Sequence, residues 1–126
     1  MADEHSQLLR EQLKIGKQYF DQIVSEYEGK VLAKDDPRYI RVERIFKRVI
    51  AGSHFRNADT PELAVIDDPV WNALATTGGR TTFFTGLVDS STDDEIAVVL
   101  GHELAHSSLS HITESQWKDM GEIRVW

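Results

Sequence analysis

The sequence predicts an α+β fold in which helices precede and follow a small β-sheet. Two segments at the start of the 126-residue chain carry apolar residues at helical spacing. Two β-prone runs then flank a Gly-Gly pair, which is typical of a hairpin. A strongly apolar stretch with an acidic first turn follows them and predicts a last helix that begins near residue 92.

The first helix is predicted from about residue 4 to 28. We expect it to pack against the rest of the fold and assign it no chemical role. The second is predicted from Pro37 to about Ala51, because Asp36 suits the N-cap and proline suits the first helical position. An apolar stripe on this second helix faces the core. The opposite face carries basic residues that we expect to be solvent-exposed, namely Arg38, Arg41, Arg44, Lys47 and Arg48.

The sheet is predicted from three short segments. Residues 63–66 form one strand, and residues 70–76 and 80–85 form the two arms of the hairpin, which Gly86 closes. Glycine at the turn accepts the positive φ that such turns need. We expect one strand to lie at an exposed edge of the sheet above the last helix, where its free backbone groups would hold an extended peptide.

The last predicted helix contains His102-Glu103-Leu104-Ala105-His106, which reads H-E-x-x-H. Helical residues four apart lie on the same face, so both imidazoles can reach one zinc ion. A catalytic zinc ion keeps about three protein ligands and a water, whose pKa it lowers to about 7. A glutamate beside the first histidine is then placed to accept the proton of that water. The motif predicts one Zn²⁺ per chain, bound by His102 and His106, with Glu103 as the catalytic residue.

The surroundings of the motif argue against a chance match on a solvated helix. Apolar residues flank it on both sides, so we expect the helix to be mostly buried and its histidines to lie in or beside the core, where polar groups need partners. Thr92 and Glu95 fit a capping box at its start. We expect the helix to end between Ser107 and Lys118. His54, in a predicted loop, is a further ligand candidate, although a lone loop histidine is usually only exposed.

Composition excludes several classes of function. A net charge of −7 argues against nucleic acid and against anionic lipid as partners. The chain has no cysteine, so histidine and carboxylate are its only strong metal ligands. No apolar run approaches the roughly 20 residues of a membrane span, and the acidic start does not fit a targeting peptide. The chain as given is expected to be soluble.

Five separated blocks of the sequence carry a family resemblance. They are Ala64-Val65-Ile66-Asp67-Asp68-Pro69, Asn72-Ala73, Gly78-Gly79-Arg80, Phe84-Thr85-Gly86-Leu87 and the run from Asp94 to His106. Together they resemble the HtpX and CAAX-prenyl-protease family of zinc metallopeptidases, of gluzincin type. Within that family they are most similar to the mitochondrial Oma-type quality-control branch.

The resemblance implies a zincin-like fold and endoproteolysis of membrane or misfolded proteins. It assigns zinc to His102 and His106 and makes Glu103 the general base and acid. It also places Asn72 and Ala73 on the edge strand that binds the substrate backbone. Family members are usually membrane-bound, so it suggests the mitochondrial inner membrane or the bacterial envelope, although this chain has no membrane segment.

The family's third zinc ligand, a glutamate on a later helix, has no clear equivalent here. Glu114 would lie about 12 Å past His106 on a continued helix, too far for a bond of about 2 Å. His111 does not fit the metzincin spacing. Glu122 is a weak candidate that requires the chain to double back.

We therefore expect residues 1–126 to be a single metallopeptidase domain truncated at its C-terminus. Residues 1–51 would form a helical segment, and residues 62–118 the sheet and the active-site helix.

Two functions follow from these expectations. The first is a zinc-dependent metalloendopeptidase acting on peptide or protein substrates. The alternative is a truncated, non-catalytic relative that acts as a binding or regulatory module through its exposed strand. Truncation would leave Leu100, Leu104 or Ile112 partly exposed and favour self-association.

Overall fold

The computed structural model describes the backbone of residues 2–107 and the side chains of residues 7–105. Its helices are α1 (Ala2–Glu26), α2 (Pro37–Ala51), α3 (Thr85–Asp89) and α4 (Asp93–Ser107), and its strands are β1 (Leu63–Ile66), β2 (Ala73–Thr76) and β3 (Arg80–Phe84). A 3₁₀ turn, Thr77–Gly79, joins β2 to β3. The predicted α+β class is confirmed.

The three strands form a mixed sheet in the order β1-β3-β2. β1 pairs with β3 in parallel, and β2 pairs with β3 as the antiparallel hairpin predicted around the glycines. Gly78 and Gly79 adopt φ values of 84° and 80°, which explains why the turn uses glycine. Beyond β1, Leu32 donates to the Val65 carbonyl at 2.8 Å and covers part of that edge. β2 is therefore the unpaired edge of the sheet within the described residues.

Helices cover both faces of the sheet. α2 and α4 pack on one face and bury the larger apolar cluster, which includes Val42, Ile45, Val65, Phe83, Ile96 and Leu100. α1 packs on the other face, where Ile23 contacts the cluster of Ile66, Leu74 and Phe84. Among the described residues, no helix has the length and apolar character to cross a membrane.

Three expectations about this part of the fold are wrong. Gly86 does not close the hairpin but lies in the short helix α3, where a Cβ would collide with the Pro69 carbonyl. The edge strand β2 is not exposed, since its four residues are only 0–4% exposed with α4 packed along it. Leu100 and Leu104 are buried because they lie on the side of α4 that faces α2 and the sheet, while Ile112 lies outside the described residues.

The start of α2 is as predicted, but Arg38 and Arg41, both expected to be solvent-exposed, are only partly exposed. Asp36 caps the helix by accepting the Arg38 N–H at 2.9 Å. Arg41, expected in solvent, is half-buried. It donates to the carbonyl oxygens of Val88 and Ser91 at 3.0 and 2.7 Å and to the Asp93 carboxylate at 2.7 Å. Because this part of α2 faces the turn between α3 and α4, the guanidinium holds that turn in place.

Arg41→Ala is therefore expected to lower the free energy of unfolding by about 1–3 kcal/mol, because it removes the charged donor of two carbonyl oxygens and one of the two arginines that bind Asp93, which keeps Arg44. Arg48→Ala is the matched control, since Arg48 is an exposed basic residue of the same helix and should change stability by less than about 0.5 kcal/mol. Urea unfolding of the two variants measures the difference. Equal midpoints would contradict the role given to Arg41.

Candidate functional site

The helix α4, which contains the H-E-x-x-H motif, begins with the predicted capping box. The Thr92 N–H donates to Glu95 Oε1 at 2.8 Å, and the Glu95 N–H donates to Thr92 Oγ1 at 3.2 Å. These hydrogen bonds lower the pKa of Glu95. They satisfy orphan donors at the helix start, and the helix then continues without a break to Ser107.

Only one side of α4 faces the core, and this overturns the expectation of burial for His102. Ile96, Leu100 and Leu104 lie on the buried side, whereas His102 is exposed and Val98 is 71% exposed. A helix advances about 100° per residue, so His102 lies roughly 160° around the axis from Leu100. The Cα of His106 follows one turn later on the same helix face, and its side chain lies outside the described residues.

Glu103 is the buried member of the motif, with only 3% of its surface exposed. Its Oε1 accepts the backbone N–H of Ala75 at 3.2 Å, and its Oε2 is buried without a hydrogen-bond partner among the described residues. Burial raises the pKa of Glu103 to about 7 because desolvation disfavours the carboxylate, and the Ala75 N–H opposes this shift only in part. A carboxyl group with such a pKa can accept and return protons near neutral pH.

The contact to Glu103 comes from the outer edge of β2. Phe84 donates to the Asn72 carbonyl at 3.2 Å, so the backbone groups of Asn72 point toward β3. Hydrogen-bonded pairs alternate along an antiparallel ladder, and the groups of Ala73 and Ala75 therefore point away from β3. The Ala73 N–H is taken by the Asn72 side chain at 2.9 Å, and the Ala75 N–H by Glu103. The carbonyl oxygens of Ala73 and Ala75 are the outward acceptors of this edge.

The other ligand candidates do not join the motif in the described part of the chain. His54 lies in an exposed loop beside a cavity of about 290 Å³, which also touches Gly101 and Ala105 on a different face of α4 from Glu103. Glu122, like His111 and Glu114, lies outside the described residues. Among those described, no three His, Cys, Asp or Glu side chains form a group that could hold a metal ion.

Two contacts of this region escaped sequence reasoning. Ala75 carries no polar side chain, so only the register between β2 and α4 reveals that its N–H meets Glu103. The pairing of Arg41 with Asp93 likewise joins residues 52 positions apart. The basic face of α2 and the acidic start of α4 were the available signal, but they did not specify that Arg41 and Arg44 both bind Asp93.

Comparisons with known proteins give a consistent family. The profile of "Peptidase family M48" matches residues 38–123. The mitochondrial metalloendopeptidase OMA1 of Schizosaccharomyces pombe is 33% identical over 102 residues, which cover 80% of this chain and 30% of the relative. The metalloendopeptidase OMA1 of Bos taurus, also named as mitochondrial, is 30% identical over 122 residues, which cover 90% of this chain and 21% of the relative.

A bacterial relative agrees with these two. A protease HtpX homolog of Neisseria meningitidis serogroup C is 35% identical over 96 residues, covering 67% of this chain and 34% of the relative. The chain thus spans about a fifth to a third of the length of these three proteins. No solved structure matches.

Proposed function

The chain belongs to peptidase family M48, and from that premise we propose that it is a zinc-dependent metalloendopeptidase that hydrolyses peptide bonds of protein substrates. The resemblance found in the sequence blocks is confirmed at the level of the family. The observation that carries the proposal is Glu103, a buried carboxyl group with one oxygen held by Ala75 and the other free of partners among the described residues. Such a group next to an exposed histidine on an unbroken helix suits acid–base catalysis.

His102 and His106 would hold the zinc ion. The chemistry of the donor set supports this, because two imidazoles one helical turn apart are a zinc-binding arrangement, and the unpartnered Glu103 Oε2 is a buried polar atom that lacks a use in the fold. When bound, the ion would polarise the scissile carbonyl and acidify a water molecule. Glu122 is the third-ligand candidate that this sequence offers.

Glu103 would move the proton. Its Oε1 is held by the Ala75 N–H, which leaves Oε2 to accept a proton from the attacking water. The same oxygen would then give the proton to the leaving amine. In the metal-free fold the pKa of Glu103 lies near 7, which suits a group that takes up and returns a proton near neutral pH.

Asn72 and Ala73 would bind the substrate backbone. The outward carbonyl of Ala73 would accept a peptide N–H only after this end of β2 is uncovered, since Ala73 is 0% exposed in the structure, and the Asn72 side chain already orders this end of the strand. Since β2 itself is buried, a peptide would approach from this end, where Asn72 is half-buried. The strand would then align the peptide along the edge toward Glu103.

The setting of the protein is also proposed from its relatives. Two of them are named as mitochondrial and one as a bacterial HtpX homolog. We propose that the protein serves protein quality control at a mitochondrial or bacterial envelope membrane, with residues 1–126 in one metallopeptidase domain; the relatives' names support only the mitochondrial or bacterial setting.

The first test is the zinc content of the purified 126-residue chain after dialysis against a weak chelator. We expect one tightly bound ion per chain, and its loss in His106→Ala, because the motif then keeps one imidazole. His54→Ala is the matched control and should keep the ion, since His54 lies in a loop beside another face of α4.

The same preparations should then be incubated with an unfolded protein substrate. Zinc-dependent cleavage by the wild type, absent in His106→Ala, is the expected result. A chain that binds zinc without any turnover would contradict the enzymatic role and favour the binding-module alternative.

A further inference from the structure

Trp71 is a large apolar side chain that the fold leaves on the surface beside the edge strand. It is 46% exposed, yet its indole Nε1–H donates to Ser90 Oγ at 2.9 Å. Ser90 Oγ in turn lies 2.9 Å from the Gly86 carbonyl, to which it donates. The ring is thus oriented by hydrogen bonds but leaves nearly half of its surface in solvent. An oriented, exposed indole is well suited to receive an apolar group.

Two contacts show where Trp71 lies relative to the motif. Ala75 meets Glu103 near the end of α4, and Trp71 meets Ser90 just before α4 begins. β2 therefore runs in the same direction as α4, with Trp71 next to its N-terminal end. Four residues of extended chain separate Trp71 from Ala75, a distance of about 13 Å.

We propose that Trp71 is a specificity-determining residue that receives a large apolar side chain of the substrate. The inference rests on the proposed function and deepens it. A peptide aligned antiparallel to β2 has its N-terminal part toward Ala75 and Glu103 and its C-terminal part toward Trp71. If the scissile bond lies at Glu103, the side chain at Trp71 belongs to about the third or fourth residue after the cut. The proposed substrate class is therefore peptides with an apolar residue on the leaving-group side.

A merely structural role for Trp71 makes a different prediction. If the ring served only to tie residue 71 to α3, then Ser90→Ala and Trp71→Ala would lower stability alike and leave the sequence preference unchanged. In our proposal Trp71→Ala changes the preference at one substrate position. Trp71→Phe keeps most of that preference because an apolar ring remains.

The activity test uses the zinc-loaded full chain and a mixture of peptides whose cleavage sites are read by mass spectrometry. We expect the wild type to favour large apolar residues over serine on the leaving-group side by about tenfold, the order of discrimination that one apolar contact supplies. Trp71→Ala should lose this preference and keep any preferences at the other substrate positions. The proposal would be overturned if the wild type cleaved without a preference for apolar residues on the leaving-group side, or preferred lysine or arginine there. It would also be overturned if the apolar preference survived in Trp71→Ala.

A second measurement does not depend on catalysis. Replacing Trp117 and Trp126 by phenylalanine leaves Trp71 as the sole tryptophan of the chain. Its fluorescence is titrated with a series of polar peptides in which a single leucine is moved along the sequence. A saturable blue shift for some leucine positions, absent for the all-polar peptide, is expected.

The two measurements separate the two claims. A shift in a chain that never cleaves would preserve the role of Trp71 in peptide binding and remove the proposed enzymatic function. Cleavage without a shift and without a change in preference would remove only the role of Trp71. A chain that shows neither cleavage nor a shift contradicts both.

Discussion

Glu103→Gln is expected to lower peptide hydrolysis by at least about 100-fold while zinc stays bound, because the amide cannot accept the proton of the attacking water. The change keeps the size of the side chain, and its amide oxygen can still accept the Ala75 N–H. The metal ligands proposed here, His102 and His106, are untouched. Turnover of an unfolded protein and zinc content measured on the same preparation check both parts.

Glu95→Gln is the matched control for this experiment. It makes the same chemical change on the same helix, but Glu95 is exposed and belongs to the capping box. We expect full turnover and a loss of stability of about 0.5–1 kcal/mol at most. Retained hydrolysis in Glu103→Gln would remove Glu103 from the catalytic role. Loss of zinc there would instead show that the buried carboxyl supports the metal site.

The elements that sequence reasoning predicted well are those set by local signals. Asp36 and Pro37 define the start of α2, and Thr92 with Glu95 defines the start of α4, since a cap involves residues only two or three positions apart. The hairpin follows from two glycines whose backbone needs positive φ. In each case the deciding interaction lies within one turn of chain.

The errors concern which side of an element is covered. The run from Ile96 to Leu100 is apolar around most of the helix, so the pattern alone predicted burial for the whole turn. The core covers only one side, which leaves Val98 and His102 in solvent. For the edge strand the error was the opposite one, since exposure was predicted and the strand is buried. Its edge position was predictable from the hairpin, but its burial depends on how α4 packs against it.

The candidate site illustrates the same limit. The motif identified Glu103, yet nothing in the pentapeptide tells that this residue is buried and that Ala75, 28 positions away, meets its carboxyl group. That contact determines which oxygen is held and which is available for proton transfer. It arises from the register of β2 on α4, which is a tertiary property. The motif therefore predicted the chemistry of the site. It did not predict the burial that raises the pKa of Glu103.

The burial of Glu103 also predicts how the metal-free protein responds to pH. The pKa of this carboxyl group is about 7 in the fold, against 4.5 for an ordinary glutamate. Below pH 4.5 it is protonated in both the folded and the unfolded chain and leaves stability unaffected. Between the two values the unfolded chain ionises while the folded chain keeps its proton, so rising pH favours unfolding. The loss is complete above about pH 7 and amounts to about 3 kcal/mol.

Urea unfolding of the wild type and of Glu103→Gln, both with excess chelator, measures this loss between about pH 4 and pH 8. Wild-type stability should fall relative to the variant by about 3 kcal/mol across that range, because glutamine has no proton to lose. Hydrogen bonds lower the pKa of Asp36, Asp93 and Glu95, so the stability that these carboxylates contribute is lost only at more acidic pH. This contribution is the same in the wild type and in the variant. Parallel pH curves for the two proteins would mean that Glu103 is solvated in solution. Glu103 Oε2 would then not be buried without a partner, which is the condition on which the proposed proton transfer depends.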